Sequence, residues 1–257
     1  MKRLCFYMLI ILLSGSIYAQ NIQGKVIYTS RFIPDRYEKT IKDPSMEASK
    51  KKVAQSFIEY GKRIHNIEYE LKFNCNESLY KKNADLSIYE DDFAMLEGTI
   101  TYCNLKEKYM LSKVDSKYSI KDTLNVINWT LGDETKEISG YKCNRASYEI
   151  VRRDSLPKQQ SNGQIVLVED LIITKVVAWY APEVPIYIGP GKFVGLPGLV
   201  LQLEYGDQYF PRVLTATEIS INPQKEIKIT KPKARILVEG QGEYDKLMRG
   251  IFEDNRK

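Results

Sequence analysis

The chain has 257 residues, 38 Lys and Arg against 33 Asp and Glu, a formal net charge of +5 and a 43% hydrophobic share. Basic residues are scattered, with no arginine-rich segment or aromatic–basic module, so nucleic acid is not an expected partner. A single histidine rules out the usual multi-histidine zinc site and leaves little for a Ser–His–Asp hydrolase.

The chain opens MKRLCFYMLIILLSGSIYAQ. Lys2 and Arg3 precede an apolar run from Leu4 to Leu13, with Ile17 and Ala19 at the −3 and −1 positions of a cleavage site before Gln20. That is the layout of a signal peptide over residues 1–19, and the run is shorter than the roughly 20 residues that cross a bilayer. Cys5 lies inside the apolar run, a poor place for lipid acylation. The expectation is a periplasmic or secreted protein, residues 20–257, with no transmembrane segment in the mature chain. Cys75, Cys103 and Cys143 remain after cleavage; an oxidising compartment permits one bridge and one free thiol, without indicating which pair. All three lie in strand-like stretches, where a small buried hydrophobe is the common role.

Asn21 to Phe32 reads as a first strand. In DPSMEASKKKVAQSFIEYGKRI, Asp43 suits a helix N-cap and Pro44 the first helical position. Met46, Val53, Phe57, Tyr60 and Ile64 recur at helical spacing, predicting an amphipathic helix near residues 44–62 that packs on a sheet. After it the period changes to two: Ile67, Tyr69, Leu71 and Phe73 alternate with Glu68, Glu70 and Lys72, one face to a core and one to water. GTITYCNL, KYSIKD, YKCNRASYEIV, QIVLVEDLIITKVVAWY, LVLQLEY and RVLTATEISI follow in the same style. Seven or more strands with few helical patterns between them predict a mainly β, α+β domain built on an antiparallel sheet. EYDKLMRGIFEDN predicts a short C-terminal helix.

The stretch from Ala181 to Gly198 breaks the pattern with four prolines and four glycines. A connection of that length is functional or tightly self-packed. Leu196-Pro197-Gly198-Leu199 suits a type II turn, with Gly198 at positive φ, delivering the chain into the next strand. GPGKF is not a phosphate loop, because Ile186 stands where its first glycine belongs and Phe193 follows Lys192. Gly189, Gly191 and Gly195 have one residue too many for a dinucleotide fingerprint. Glu90-Asp91-Asp92 and Glu169-Asp170 read as solvated charge between strands, and His65 as a surface or packing residue. No catalytic residue, metal site or cofactor is expected. Eighteen tyrosines suit a β-rich binding surface and serve equally as ordinary strand residues.

Four ordered blocks carry a family resemblance: LKFNCNESLYKK, NWTLGDETKEISGYKCNRASYEI, VVAWYAPEVPIYIGP and GPGKFVGLPGLVLQLEY. The last resembles the hallmark of the GLPGLI family of secreted proteins, with Val200 in place of the family's final isoleucine. The resemblance covers roughly residues 66–245 and leaves the helix without a matching block. It implies an exported envelope protein of uncharacterised role, and it brings no catalytic residues. The GYKC block is more loosely similar to lipoprotein-carrier folds, which implies a curved antiparallel half-barrel. Two readings follow. In the first, the protein is a non-catalytic binder of an apolar or lipid-like ligand held on a concave or loop-bearing face. In the second, it is a docking subunit of an outer-membrane protein assembly, with the 181–198 segment as its contact surface. The residues expected to bind ligand or partner are Trp179, Tyr180, Gly189, Pro190, Lys192 and Phe193, with Gly195, Pro197 and Gly198 as the structural turn.

Overall fold

A computed structural model describes residues 22–65, 67–83, 100–114, 117–159, 165–206, 211–233 and 235–254. The expected signal peptide with its expected cleavage site, and Glu90-Asp91-Asp92, lie outside these residues. In chain order the elements are β1 (Gly24–Phe32), α1 (Asp35–Lys42), α2 (Ala48–His65), β2 (Ile67–Phe73), β3 (Glu77–Lys82), β4 (Ile100–Asn104), β5 (Tyr109–Lys113), β6 (Tyr118–Thr123), β7 (Thr130–Ile138), β8 (Tyr141–Gln159), β9 (Ile165–Ala181), β10 (Leu199–Tyr205), β11 (Arg212–Ile221), β12 (Ile236–Glu239) and α3 (Gln241–Asp254).

All twelve strands lie in one open sheet, in the order β12-β6-β5-β4-β3-β2-β1-β11-β10-β9-β8-β7. Two meanders, β1–β6 and β7–β11, join where β1 pairs with β11; only β12 on β6 is parallel. The sheet is strongly curled, and a short connection requires it. Ten strand spacings separate β6 from β7, roughly 48 Å if the sheet were flat. Residues 124–129, which link them, reach at most about 25 Å. The curl is also visible where Ser139 Oγ, at the β7–β8 tip, donates to the Ala216 carbonyl of β11 at 2.7 Å. The architecture is therefore the expected mainly β half-barrel, not closed.

The period-two reading of β2 holds. Leu71 and Phe73 are fully buried and stand opposite Val26 and Gly24 of β1. On the other face Glu70 collects Lys25, Lys72 and Lys81 at 3.0, 3.3 and 3.4 Å. Burial opposes ionisation of this carboxyl, but the lysines outweigh it and hold it below the usual range.

The amphipathic helix is present but starts at Ala48, not beside Pro44. Asp43 closes α1 with its backbone N–H on the Lys39 carbonyl, and its carboxylate accepts both the amide and the hydroxyl of Ser45. These bonds fold residues 43–46 into a turn, which separates Met46 from the helix. The buried stripe also shifts from the expected one: Ala54, Ile58 and Gly61 face the core while Val53 is 56% exposed. The reason is proximity. A Cβ on Gly61 would lie 2.8 Å from the Phe32 ring, so the helix meets β1 through the face on which Gly61 leaves room for that ring. Tyr37 of α1 stacks on Phe57 of α2 with ring centroids 5.2 Å apart.

Candidate functional site

The docking reading of the sequence places its contact surface in the segment between β9 and β10. It folds back into the curl of the sheet and becomes core. Val184, Ile186, Ile188, Phe193, Val194 and Leu196 are all buried. The Leu199 amide donates to Val184 O at 3.0 Å and the Val200 amide to Ile188 O at 3.1 Å, so the segment runs alongside the start of β10. The 124–129 connection crosses over it. Trp129 Nε1 donates to Val194 O at 3.0 Å, and Phe193 packs between the rings of Trp129 and Tyr205 at 6.5 and 5.5 Å. From the other side Val194 packs on Cys103 of β4 and Leu124.

The expected binding residues therefore separate. Tyr180, Gly189, Pro190 and Phe193 are buried, and Lys192 alone among the apex residues is exposed. A Cβ on Gly189 would overlap the Phe193 carbonyl oxygen. Trp179, next to Tyr180, points to the opposite face by strand alternation. There the Lys136 ammonium sits 4.0 Å from its ring centroid and bonds Gln202 Oε1. Burial lowers the Lys136 pKa and pushes the neighbouring Cys143 thiol up to about 11.

The turn chemistry also differs from expectation. Gly195 does take a positive φ of 100°, with its amide on Tyr187 O at 3.1 Å. Gly198 does not adopt positive φ. Its amide donates to Leu196 O at 2.8 Å, a tight turn around Pro197 in place of the type II turn. Glycine is required at 198 because a Cβ there would overlap the Ala181 carbonyl oxygen and lie 2.7 Å from its carbon. The motif is carpentry, through close approach of two backbones.

Two features escaped the sequence reading. One is a buried aromatic cluster around Arg212, which is only 6% exposed. Its guanidinium lies 4.4 Å from the Tyr205 centroid, and NH1 is 3.2 Å from His65 Nδ1. Tyr69 and Tyr80 stack beside it at 5.0 Å. Burial raises the pKa of Tyr28, Tyr69, Tyr80 and Tyr205 and lowers that of Arg212. His65 packs on the Phe32 ring at 6.3 Å, consistent with the packing role expected of it. Among the described residues no group of three or more His, Cys, Asp or Glu could hold a metal.

The other feature is a two-stranded ribbon. β8 and β9 pair from Asn144 opposite Tyr180 to Gln159 opposite Ile165. β7 reaches β8 only as far as Ser147, and β10 reaches β9 only as far as Val177. Residues 148–159 and 165–176 thus pair only with each other among the described strands, a ribbon roughly 35–40 Å long. Glu169 and Asp170 lie within β9 instead of in a loop. Val151 stands opposite Ile173, with Leu171 two residues along the same face. All three are exposed, at 55, 56 and 51%. The sequence signal was present in the Asn162-Gly163 turn dipeptide between two runs longer than any other strand here, and length alone did not say that the sheet would end first.

Among the described residues Cys75, Cys103 and Cys143 are free thiols: Cys103 and Cys143 are buried in strands, and Cys75 is exposed. Cys75 lies in the β2–β3 turn, not in a strand, because Asn74 Oδ1 accepts the amides of Asn76 and Glu77. No described helix is long and apolar enough to cross a membrane.

Comparison with known proteins finds a family model described as "Protein of unknown function (Porph_ging)" over residues 129–202, from just before β7 into β10. No curated protein matches the chain. Two solved structures of PNGF-II, in C2 and P21 space groups, are similar at 14% identity and a TM-score of 0.48. The match covers 89 and 88% of this chain but only 32 and 33% of PNGF-II, so the chain spans about a third of that protein's length.

Proposed function

We propose that this chain is an exported member of the GLPGLI family that acts without catalysis as a docking subunit of an outer-membrane protein assembly. The family reading is supported by the hallmark from Gly195 to Val200 and by the matching model over residues 129–202. The docking reading rests on the ribbon: two strands leave the sheet and carry Val151, Leu171 and Ile173 exposed on one face. An isolated two-stranded ribbon is marginally stable in water, and an apolar strip on such an arm is the usual mark of a contact surface. The apolar-ligand reading fares worse, because the face it needs is occupied by Ile188, Phe193 and Leu196 of the chain itself. Recognition moves accordingly from the 189–193 apex to the ribbon.

The test is photocrosslinking in intact cells. A photoreactive side chain at Val151 or Ile173 should give a discrete adduct with an outer-membrane protein, while the same group at exposed Val53 on α2 should not. Equal adducts from all three positions, or none from the ribbon, would overturn the docking role.

A further inference from the structure

We infer that the basic connection from Asn222 to Arg235 is a docking surface for an anionic lipid bilayer, meeting phosphate-bearing headgroups from the outer face of the curled sheet. This goes beyond the docking role of the ribbon and stands or falls separately from it. Basic residues occur throughout the chain, but here Lys225, Lys228, Lys231, Lys233 and Arg235 stand against a single Glu226. That is a net +4 within 14 residues, against +5 for all 257, so the rest of the chain is close to neutral. All five cations are exposed, and among the described residues none of them makes an ion pair.

The sheet fixes where this segment lies. Cys103 of β4 packs inward on Val194, so Tyr102 beside it points outward. Register carries the outer face onward: Tyr102 stands opposite Leu111, Leu111 opposite Lys121, and Lys121 opposite Glu239. Tyr109 and Leu237 share that face, each two residues along its strand. The connection leaves β11 beside Gln23, whose Oε1 accepts the Ile227 amide at 2.8 Å. It meets the outer face at Lys231, whose ammonium is 5.0 Å from the Tyr109 ring centroid. It ends where the Ile236 amide donates to Lys117 O at 2.9 Å. Ile227, Ile229 and Pro232 are half-buried while the cations are exposed, so the apolar residues hold the segment down and the charges face water. The cavity of about 700 Å³ beside it is lined by Lys108, Lys121 and Lys231 with Glu107, Asp122 and Glu239. Those charges balance, so the excess belongs to the exposed side of the connection.

Two features select a bilayer over a small anion. The cations are strung along residues 225–235, roughly 33 Å of extended chain, instead of converging on one point. Leu237, 49% exposed on the same outer face, follows directly after them, beside Ile236 at 40%. A basic stretch next to exposed aliphatic side chains is the composition that rests at a headgroup interface, charges on phosphates and aliphatics at the acyl boundary. Two acids of that face are already engaged. Lys121 holds Glu239 at 3.5 Å, and Glu70 is held by Lys25, Lys72 and Lys81.

Cosedimentation with phosphatidylcholine vesicles containing about 30% phosphatidylglycerol should show binding that pure phosphatidylcholine does not support. The binding should be lost by about 0.5 M salt, where the screening length contracts to a few ångströms. Each cation removed should lower the partition coefficient about fivefold, so Lys228→Gln/Lys231→Gln/Lys233→Gln should lower it about a hundredfold. These side chains are exposed, so the melting temperature should not move. Lys50→Gln/Lys52→Gln/Lys62→Gln removes the same charge from exposed positions of α2 and should change the partition coefficient by less than about twofold. In a Cys75→Ser background, a polarity-sensitive dye on Leu237→Cys should shift to the blue on the anionic vesicles, and the same dye on Val53→Cys should not. Equal binding to pure phosphatidylcholine, full binding by the 228/231/233 variant, an equal loss in the α2 variant, or a dye shift at 53 without one at 237 would each overturn the surface. Retention on heparin without vesicle binding would also overturn it, and would assign the segment to a soluble polyanion. Vesicle binding without ribbon adducts in cells would leave the lipid surface standing and remove the ribbon's docking role. Adducts without vesicle binding would do the reverse.

Discussion

Trp129 and Val194 are joined by a hydrogen bond of 3.0 Å from the indole nitrogen to the main-chain carbonyl. It ties the 124–129 connection to the segment folded beneath it, and so ties together the two sides of the curl. Trp129→Phe keeps most of the ring contact with Phe193 but removes the donor. The expected cost is about 1–3 kcal/mol, the price of leaving a carbonyl without its partner, read as a lower denaturant midpoint with unchanged slope. An unchanged midpoint would mean the carbonyl is satisfied another way.

The same segment predicts a sharp contrast between neighbours. Phe193 is 7% exposed and packed between two rings, so Phe193→Ala should cost about 3–5 kcal/mol. Lys192, exposed beside it, should change stability by less than about 0.5 kcal/mol on substitution by alanine. Similar midpoints for the two variants would show that the segment is not core.

Gly198→Ala should destabilise by about 1–3 kcal/mol, because the added carbon meets the main chain of Ala181, which cannot turn away as a side chain could. Pro197 is exposed, and Pro197→Ala should cost only about 0.4–1 kcal/mol, chiefly through a freer unfolded chain. Denaturation midpoints of both variants decide the matter. A Gly198→Ala protein as stable as the wild type would remove the close approach from the account.

Stability should fall in alkali. Burial raises the Cys103 thiol from 9.0 to about 12 and Cys143 from 9.0 to about 11. Raised values mean that below about pH 9 both thiols are protonated whether folded or unfolded, and stability does not depend on them. Above pH 9 only the unfolded chain releases the protons. Each thiol then removes about 1.4 kcal/mol per pH unit, until pH passes 11 for Cys143 and 12 for Cys103. The buried tyrosines add to the loss at higher pH. Midpoints measured from pH 7 to 10.5 should be level and then fall, and the Cys103→Ala/Cys143→Ala variant should fall less steeply. A level profile to pH 10.5 would contradict the burial of these groups.

Thiol labelling offers an independent check. Cys75 is exposed and Cys103 and Cys143 are buried, with no disulfide among them. At neutral pH a maleimide should modify Cys75 alone in the native protein, and the other two only after unfolding. Intact mass gives the count directly, and on secreted material it also tests for a chain beginning at Gln20.

What the sequence determined by itself are the features set by local periodicity. Ile67 to Phe73 alternates, and a strand has only two faces, so the burial of Leu71 and Phe73 and the solvation of Lys72 were legible before any partner was known. The same holds for the existence of the long helix, for the prevalence of strands, and for a Pro- and Gly-rich segment that had to be either functional or self-packed. Tertiary structure decided what depends on which surfaces meet. The stripe of α2 runs through Gly61 and not Val53 because the Phe32 ring approaches there. Gly198 is glycine because Ala181, seventeen residues earlier, passes against it, a contact with no local sequence signal. Phe193 is buried and Lys192 exposed because the 124–129 connection is too short to cross a flat sheet, so the sheet curls and encloses the segment. The ribbon exists because β8 and β9 outrun β7 and β10. Strand length is written in the sequence, whereas the point at which neighbouring strands stop is decided only when the sheet assembles.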